Sequence, residues 1–427
     1  MSLDDEEFDL PLFWDSVTDV VAPESSDPFK ISTHGCAYTP ESEEFDRLSW
    51  HHEAMRLCLE GLYPCPETVQ AILSPSPDET KRVLDLGCGS RIWCLDMAKE
   101  FPHAEIWGID RPPVQEIWSG EAPPNCLFKI FDSYDFLEEY KQMFDVVHMR
   151  FVAGGCTSFY KTMEHIQMCL KPGGIFILID STGDLLKEDA MTVCQMKSRA
   201  NPSGSRLQRM FYEVRHANRA LGFDEIMMRE TLMQGIWDFS YLTDCHAAEL
   251  HVPIGPWFQS PNAAEEARMK AAGRLLQKSL QAVQSGHEVV LNRLGFRGSE
   301  LERWMKEIDA ELKDDLRKWF LDVRVLWGQR RVDDTSGHID DRHSIPDELY
   351  PLSSVPTTKE SRESSPTQNP NSHYRIFTDP KAWYDTSQQR SNQAGRDPLP
   401  FVYRRSRSKS CSRPRTPITP TRASTVW

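Results

Sequence analysis

Val83-Leu84-Asp85-Leu86-Gly87-Cys88-Gly89-Ser90 is the stretch that decides the fold. Val83, Leu84 and Leu86 make an apolar strand, two glycines turn the chain, and Ile92, Leu95, Met97 and Ala98 then recur at helical spacing. Glycine is needed at the turn because a Cβ would hold the backbone away from a ligand crossing the strand's carboxyl end. Asp85 inside the strand is a polar residue where an apolar one is the default, so it suits a ligand ammonium, held directly or through water. Backbone N–H groups at the start of the helix can meet a carboxylate.

Outward from this turn, short apolar runs alternate with helical patterns. The runs are 82–86, 104–109, 126–131, 144–149 and 175–179, an alternation that predicts an α/β fold with a parallel sheet flanked by helices. Lys171-Pro172-Gly173-Gly174 is a tight structural turn into the fifth run. Helical spacing is also present over 43–62, 68–73, 207–221, 263–284 and 298–320, and 320–327 reads as a last strand. These patterns divide the chain into an acidic, disordered arm (1–42), a folded domain (43–331) and a disordered Ser/Pro/Arg-containing tail (332–427). Within the domain, 81–180 is the binding core and 185–320 a helical cap or substrate region.

Composition narrows the function classes. A net charge of -15 opposes general binding to nucleic acid or anionic membranes, leaving only the short basic run near Arg404, Arg405, Arg407 and Lys409 as a polyanion or import signal. Eleven cysteines include no C-x-x-C pair, which fits reduced thiols and gives no metal site. No apolar run approaches the roughly 20 residues that cross a bilayer. The expectation is a soluble, intracellular protein without a membrane partner.

Acids at the ends of the runs point to the ligand. Asp110 closes Ile106-Trp107-Gly108-Ile109 and can accept both hydroxyls of a ribose. Asp132 closes Phe128-Lys129-Ile130-Phe131 and can accept an adenine amine, with Asp135 a competing candidate. A dinucleotide site wants a third glycine where Ile92 stands, and its pyrophosphate would gain nothing from Asp85. NAD is therefore the weaker fit, and a ligand with a nucleoside at one end and an amino acid at the other, S-adenosyl-L-methionine, the better one.

The combination FDRLSWHH, RVLDLGCGSRIWCLDMAKEFPHAEIWGID, APPNCLFKIFDSYDF, FDVVHMRFVAGG, LKPGG and HVPIGPW resembles the fungal class I methyltransferases related to the velvet-complex regulator of secondary metabolism. The resemblance covers about 43–329. It implies a Rossmann-like methyltransferase sheet with flanking and added helices, and cofactor contacts at Asp85, Gly87, Gly89, Asp110 and Asp132. One departure matters: where these enzymes usually carry a third glycine, this chain has Arg91. Three placements are open to that side chain: solvent, the cofactor carboxylate, or the pocket itself. The main expectation is methyl transfer to a small-molecule or protein acceptor; the alternative is a catalytically impaired regulatory module with protein partners.

Methyl transfer from a sulfonium needs alignment more than acid–base help, so no triad is required. His148 and Arg150 after the fourth run are the candidate catalytic residues, followed by Asp180 after the fifth. Arg150 can orient an anion or pair with Asp145. His51 and His52 can roof the cofactor pocket. Trp237, Trp257, Met227, Met228 and Met233 are candidates for an acceptor pocket or simply core, and His246 and His251 have no metal-like spacing.

Overall fold

A computed structural model describes residues 41–110, 122–131, 139–152, 156–220, 222–293, 298–332 and 373–393. Residues 1–40 of the expected arm (1–42), the basic run at 404–409, and Asp132 and Asp135 lie outside the described residues, while 41–42 begin a helix.

The described residues form an eight-stranded sheet in the order β3-β2-β1-β4-β5-β7-β6-β8. The first five strands are β1 (Arg82–Leu86), β2 (Glu105–Asp110), β3 (Cys126–Ile130), β4 (Phe144–Arg150) and β5 (Leu170–Leu186). They are mutually parallel, as the helical crossovers demand. β7 (Trp319–Arg330), β6 (Leu242–Ile254) and β8 (Tyr374–Phe377) extend the sheet antiparallel beyond β5. Strand order reverses between β1 and β4, which opens a crevice at their carboxyl ends.

Burial on both faces explains the apolar runs. Val83, Val146, Ile177 and Val323 pack on one face with Met55, Trp93 and Leu276. Leu84, Val147, Phe176 and Leu326 pack on the other with Met163, Leu232 and Trp383. The helices that place the site are α1 (Glu41–Leu59) and α3 (Ile92–Glu100); α2 (Pro66–Ile72) lies between them in the chain. Beyond β4 follow α4 (Phe159–Cys169), α5 (Arg206–Ala220), α6 (Glu225–Gln234), α7 (Ala263–Arg293) and α8 (Ser299–Lys313). Gly108 is required at its position in β2: a Cβ there would stand 2.6 Å from the Phe128 ring.

Two expectations are corrected. The region 185–320 is not only helical, because β6 runs through it as an inner strand of the sheet. Its alternation is hidden by Glu249 and His251, charged or polar residues that are nonetheless buried. Nor is the whole of 332–427 disordered. His373 leads into β8, which pairs with β6 from Ala247 to Leu250, and α9 (Pro380–Gln393) packs against α6. α9 buries Trp383, Ser387 and Arg390. Spaced i, i+4, i+7, these share one helical face, but only one of them is apolar, so hydrophobic periodicity does not reveal it.

What α9 covers is a buried layer of charge. Arg324 hydrogen-bonds Asp322 (3.0 Å) and Glu249 (3.1 Å), and its guanidinium lies 4.7 Å from the Trp383 ring centroid. Arg390 donates to Asp322 (2.8 Å), to the Ala190 carbonyl (3.1 Å) and to His251 Nε2 (3.1 Å). It also lies 3.0 Å from Glu249, which Arg375 of β8 binds at 2.8 Å. Carboxylates removed from water in this way are held by paired, hydrogen-bonded cations.

Candidate functional site

The glycine turn is built by backbone bonds. Gly87 N and Cys88 N both donate to the Ile109 carbonyl, at 2.8 and 3.1 Å, and Arg91 N donates to the Cys88 carbonyl at 2.8 Å. Gly89 N donates to Asp110 Oδ2 at 2.6 Å. The turn is thereby latched to the end of β2. Gly87 and Gly89 have φ of 77° and 49°, a region that glycine enters freely.

Arg91 has φ 66° as well, which is why a glycine would suit the position. Its side chain does not go to solvent. It is 7% exposed, and its guanidinium stacks over Phe128 of β3 at 4.6 Å from the ring centroid. Strain in the backbone is thus accompanied by a cation–π contact.

Asp85 is 3% exposed. His148 Nδ1 lies 2.8 Å from its Oδ1, and the Cys94 thiol donates to Oδ2 at 3.4 Å. The carboxylate is thereby tied to neighbours on β4 and α3 beneath the turn. His148 is fully buried, stacked on Trp93 with ring centroids 4.0 Å apart, and its Nε2 has no hydrogen-bond partner. Burial, set against the hydrogen bond and charge of Asp85, holds its pKa below the ordinary histidine value. Stacked on Trp93 and bonded to Asp85, this imidazole has the geometry of a structural support for the end of β1.

Arg150 does not pair with Asp145. Asp145, at the opposite end of β4, accepts from Arg82 N and Lys171, both at 2.8 Å. Arg150 instead donates to His52 Nδ1 of α1 at 2.9 Å, and His52 Nε2 reaches Asp96 of α3 at 3.2 Å. This bond order fixes the tautomer, with Nδ1 as acceptor and Nε2–H as donor. Burial first, then the Arg150 charge, push the His52 pKa down to about 4. His51 stacks on Phe151 at 4.2 Å, and its Nε2 is buried without a partner.

The structure therefore gathers Gly87, Gly89, Asp110, Asp85, His148 and Arg150 around one crevice, with His51 and His52 on α1 beside it. The His52–Arg150 bond and the Asp85–His148 pair were not legible from the sequence, since they join residues 98 and 63 positions apart. The motif FDRLSWHH was the one available signal for the first. Asp180 is 4% exposed and accepts from Val152 N at 3.0 Å, which makes it a loop anchor. Trp237 donates to the Cys245 carbonyl at 3.1 Å, and Met228 is core. His246 stacks on Trp327, and His251 belongs to the charged layer.

Among the described residues, no group of histidine, cysteine, aspartate or glutamate could hold a metal ion, and no helix is long and apolar enough to cross a membrane.

Residues 51–226 match the family model described as a methyltransferase domain. The chain is 33% identical over 135 residues to the secondary metabolism regulator laeA of Coprinopsis cinerea, covering 32% of this chain and 33% of that protein. It is 30% identical over 139 residues to the secondary metabolism regulator LAE1 of Cochliobolus heterostrophus, covering 32% and 42%. With the methyltransferase pytC of Aspergillus terreus the identity is 27% over 242 residues, covering 56% and 64%. The chain spans less than two thirds of the length of each of these relatives. The resemblance to fungal methyltransferases of secondary metabolism holds.

Proposed function

We propose that this protein, whose residues 51–226 match a methyltransferase domain, transfers a methyl group from S-adenosyl-L-methionine to a small-molecule or protein acceptor. The observation that carries the reading is the glycine turn latched to Asp110, at the point where strand order reverses. Bare backbone at that point admits a flat ligand, and strands on either side offer groups for its two ends.

The residues fit the cofactor. Asp110 stands at the end of β2 and accepts from Gly89 N, and a carboxylate is the acceptor type that ribose hydroxyls need. At the other side, Arg150 carries a charge that no carboxylate among the described residues pairs, and His51 Nε2 is an orphaned polar atom. When bound, the cofactor supplies an electrophilic methyl on a sulfonium. The protein's part is to hold, orient and keep water away. Gly87 and Gly89 set the bed, Asp110 orients the nucleoside, and Asp85, locked by His148, keeps the first strand's end in place. Alignment of this kind supplies much of the rate in a reaction that needs little proton transfer.

A second reading has one observation behind it. Arg91 stands where a third glycine would remove backbone strain, which favours a methyltransferase-like regulator with weakened catalysis. Two of the relatives bear the name of regulators, and a regulatory role is compatible with either reading.

Titration calorimetry tests the main reading. Folded protein is expected to bind S-adenosyl-L-methionine, and Asp110→Ala to weaken binding about tenfold or more, the loss of a charge-assisted hydrogen bond. No heat of binding at millimolar cofactor, from protein with a cooperative melt, would sink it.

A further inference from the structure

We infer that Arg150 is the residue that binds the carboxylate of the cofactor's amino-acid end, an inference that rests on the methyltransferase reading above.

A ligand carboxylate laid across the glycine turn needs donors, and the turn has few to give. The N–H groups of Gly87, Cys88, Gly89 and Arg91 are all spent on Ile109, Asp110 and Cys88. Arg91 carries charge, but its guanidinium stacks on Phe128 in β3, toward the nucleoside side of the crevice. Four of the N–H groups that would line an anion cradle are thus turned inward.

Arg150 is the opposite case. It ends β4, on the far side of β1 from Asp110. Among the described residues its hydrogen bonding amounts to one N–H, given to a neutral His52, and no carboxylate pairs with it. A guanidinium has five N–H donors in a planar fork suited to a carboxylate. Arg150 is half-buried; burial holds its pKa below the ordinary arginine value, and the nearby Asp85 charge offsets this only in part. Its aim is fixed by the chain Arg150–His52–Asp96, which ties the end of β4 to α1 and α3.

Spacing agrees. Neighbouring strands lie roughly 4.8 Å apart, so β2 and β4, with β1 between them, stand about 10 Å apart. A ribose held at Asp110 leaves an amino-acid end of that reach over the end of β4. An anionic acceptor could use the same guanidinium, and the experiment separates the two.

The test compares S-adenosylhomocysteine with S-adenosyl-3-thiopropylamine, which lacks only the carboxylate, by calorimetry on the full chain. Wild type is expected to prefer the former by about ten- to a hundredfold, the range for a charge-assisted pair out of water. Arg150→Gln is expected to erase that preference while leaving affinity for the decarboxylated ligand within about threefold, roughly 0.65 kcal/mol. A variant that binds both as wild type does, or loses both equally, overturns the inference. Wild type that binds the two ligands equally also overturns it, and needs no variant to fold. Wild type that binds neither sinks the methyltransferase reading first and this one with it.

Discussion

Replacing Arg390 by Met measures whether the segment 373–393 is part of the folded domain. Arg390 reaches Asp322 at 2.8 Å and Glu249 at 3.0 Å, and these carboxylates are 2% and 1% exposed. Methionine keeps much of the volume and removes the charge. What remains buried is two carboxylates facing Arg324, with Arg375 on the rim at 30% side-chain exposure. Burial raises the Asp322 pKa, but Arg324 and Arg390 outweigh it and hold Asp322 below the ordinary carboxylate value. Burial pulls the Arg390 pKa down as well, and Arg324 beside it adds to that. The short contacts hold the pair together, so the removal of one member sets the size. Breaking a buried pair typically costs about 3–5 kcal/mol, because the remaining charge keeps its desolvation penalty. At roughly 2–4 °C per kcal/mol, the melting temperature should fall by about 6–20 °C. Differential scanning calorimetry reads this, with Lys381→Met on the exposed side of α9 as the control. Asp322→Asn combined with Arg390→Met should cost less than the sum of the two, since each change relieves the other. A melt within 1 °C of wild type for Arg390→Met would refute the docking of α9.

Two further outcomes follow from buried histidines and from the strained arginine. Burial leads the causes that lower His52, His251 and His287 to about 4. Folded values lie below the unfolded value near 6.5, so the unfolded chain takes protons first; stability is full above about pH 6.5 and is lost as pH falls toward 4. Each histidine contributes up to roughly 3 kcal/mol by this linkage, and urea midpoints measured from pH 7.5 to 4.5 should fall steadily; a flat profile would contradict it. Arg91→Gly trades a left-handed strain of about 1–2 kcal/mol for lost stacking on Phe128 and a floppier unfolded chain. Stability should stay within about 1 kcal/mol and cofactor affinity within about threefold, roughly 0.65 kcal/mol, whereas a tenfold gain in affinity would favour the impaired-regulator reading.

The parallel half of the sheet was legible because its strands are buried on both faces. Val83, Leu84 and Leu86, or Val146 and Val147, are packed on both faces, so each strand appears as a short, mostly apolar run. The turn was legible for the same kind of reason: glycine marks a backbone that must pass φ of 77° and 49°. Arg91 shows the limit. Sequence reveals the missing glycine but not whether the side chain goes to the ligand or to Phe128, since that depends on a strand 37 residues away in the chain. Asp85 shows it too: sequence reveals an acid in the strand but not its partners His148 and Cys94, which come from β4 and α3.

In the antiparallel half 320–327 was legible as a strand and is part of β7 (Trp319–Arg330), but β6 and β8 were not, for a physical reason that also bears on function. β6 and β7 place Glu249, His251, Asp322 and Arg324 on a face that is buried, and buried charge has no signature in hydropathy. Such a layer is weak as a source of stability but strict about partners, because any missing member strands the others. α9 supplies two of the closing groups, Trp383 over Arg324 and Arg390 between the carboxylates. Thr182 of β5 bonds Asp322 at 2.9 Å, and β5 continues through Asp180, whose carboxylate holds Val152 two residues beyond Arg150. The charged layer and the end of β4 thus share one strand. Stripping 373–393 from the sheet loosens Asp322 first, then the Thr182 segment of β5, and only through Asp180 the loop after Arg150. On that order, a chain ending before His373 should lose thermal stability to a greater degree than it loses affinity for the cofactor. Equal losses in both would place the tail in direct contact with the site.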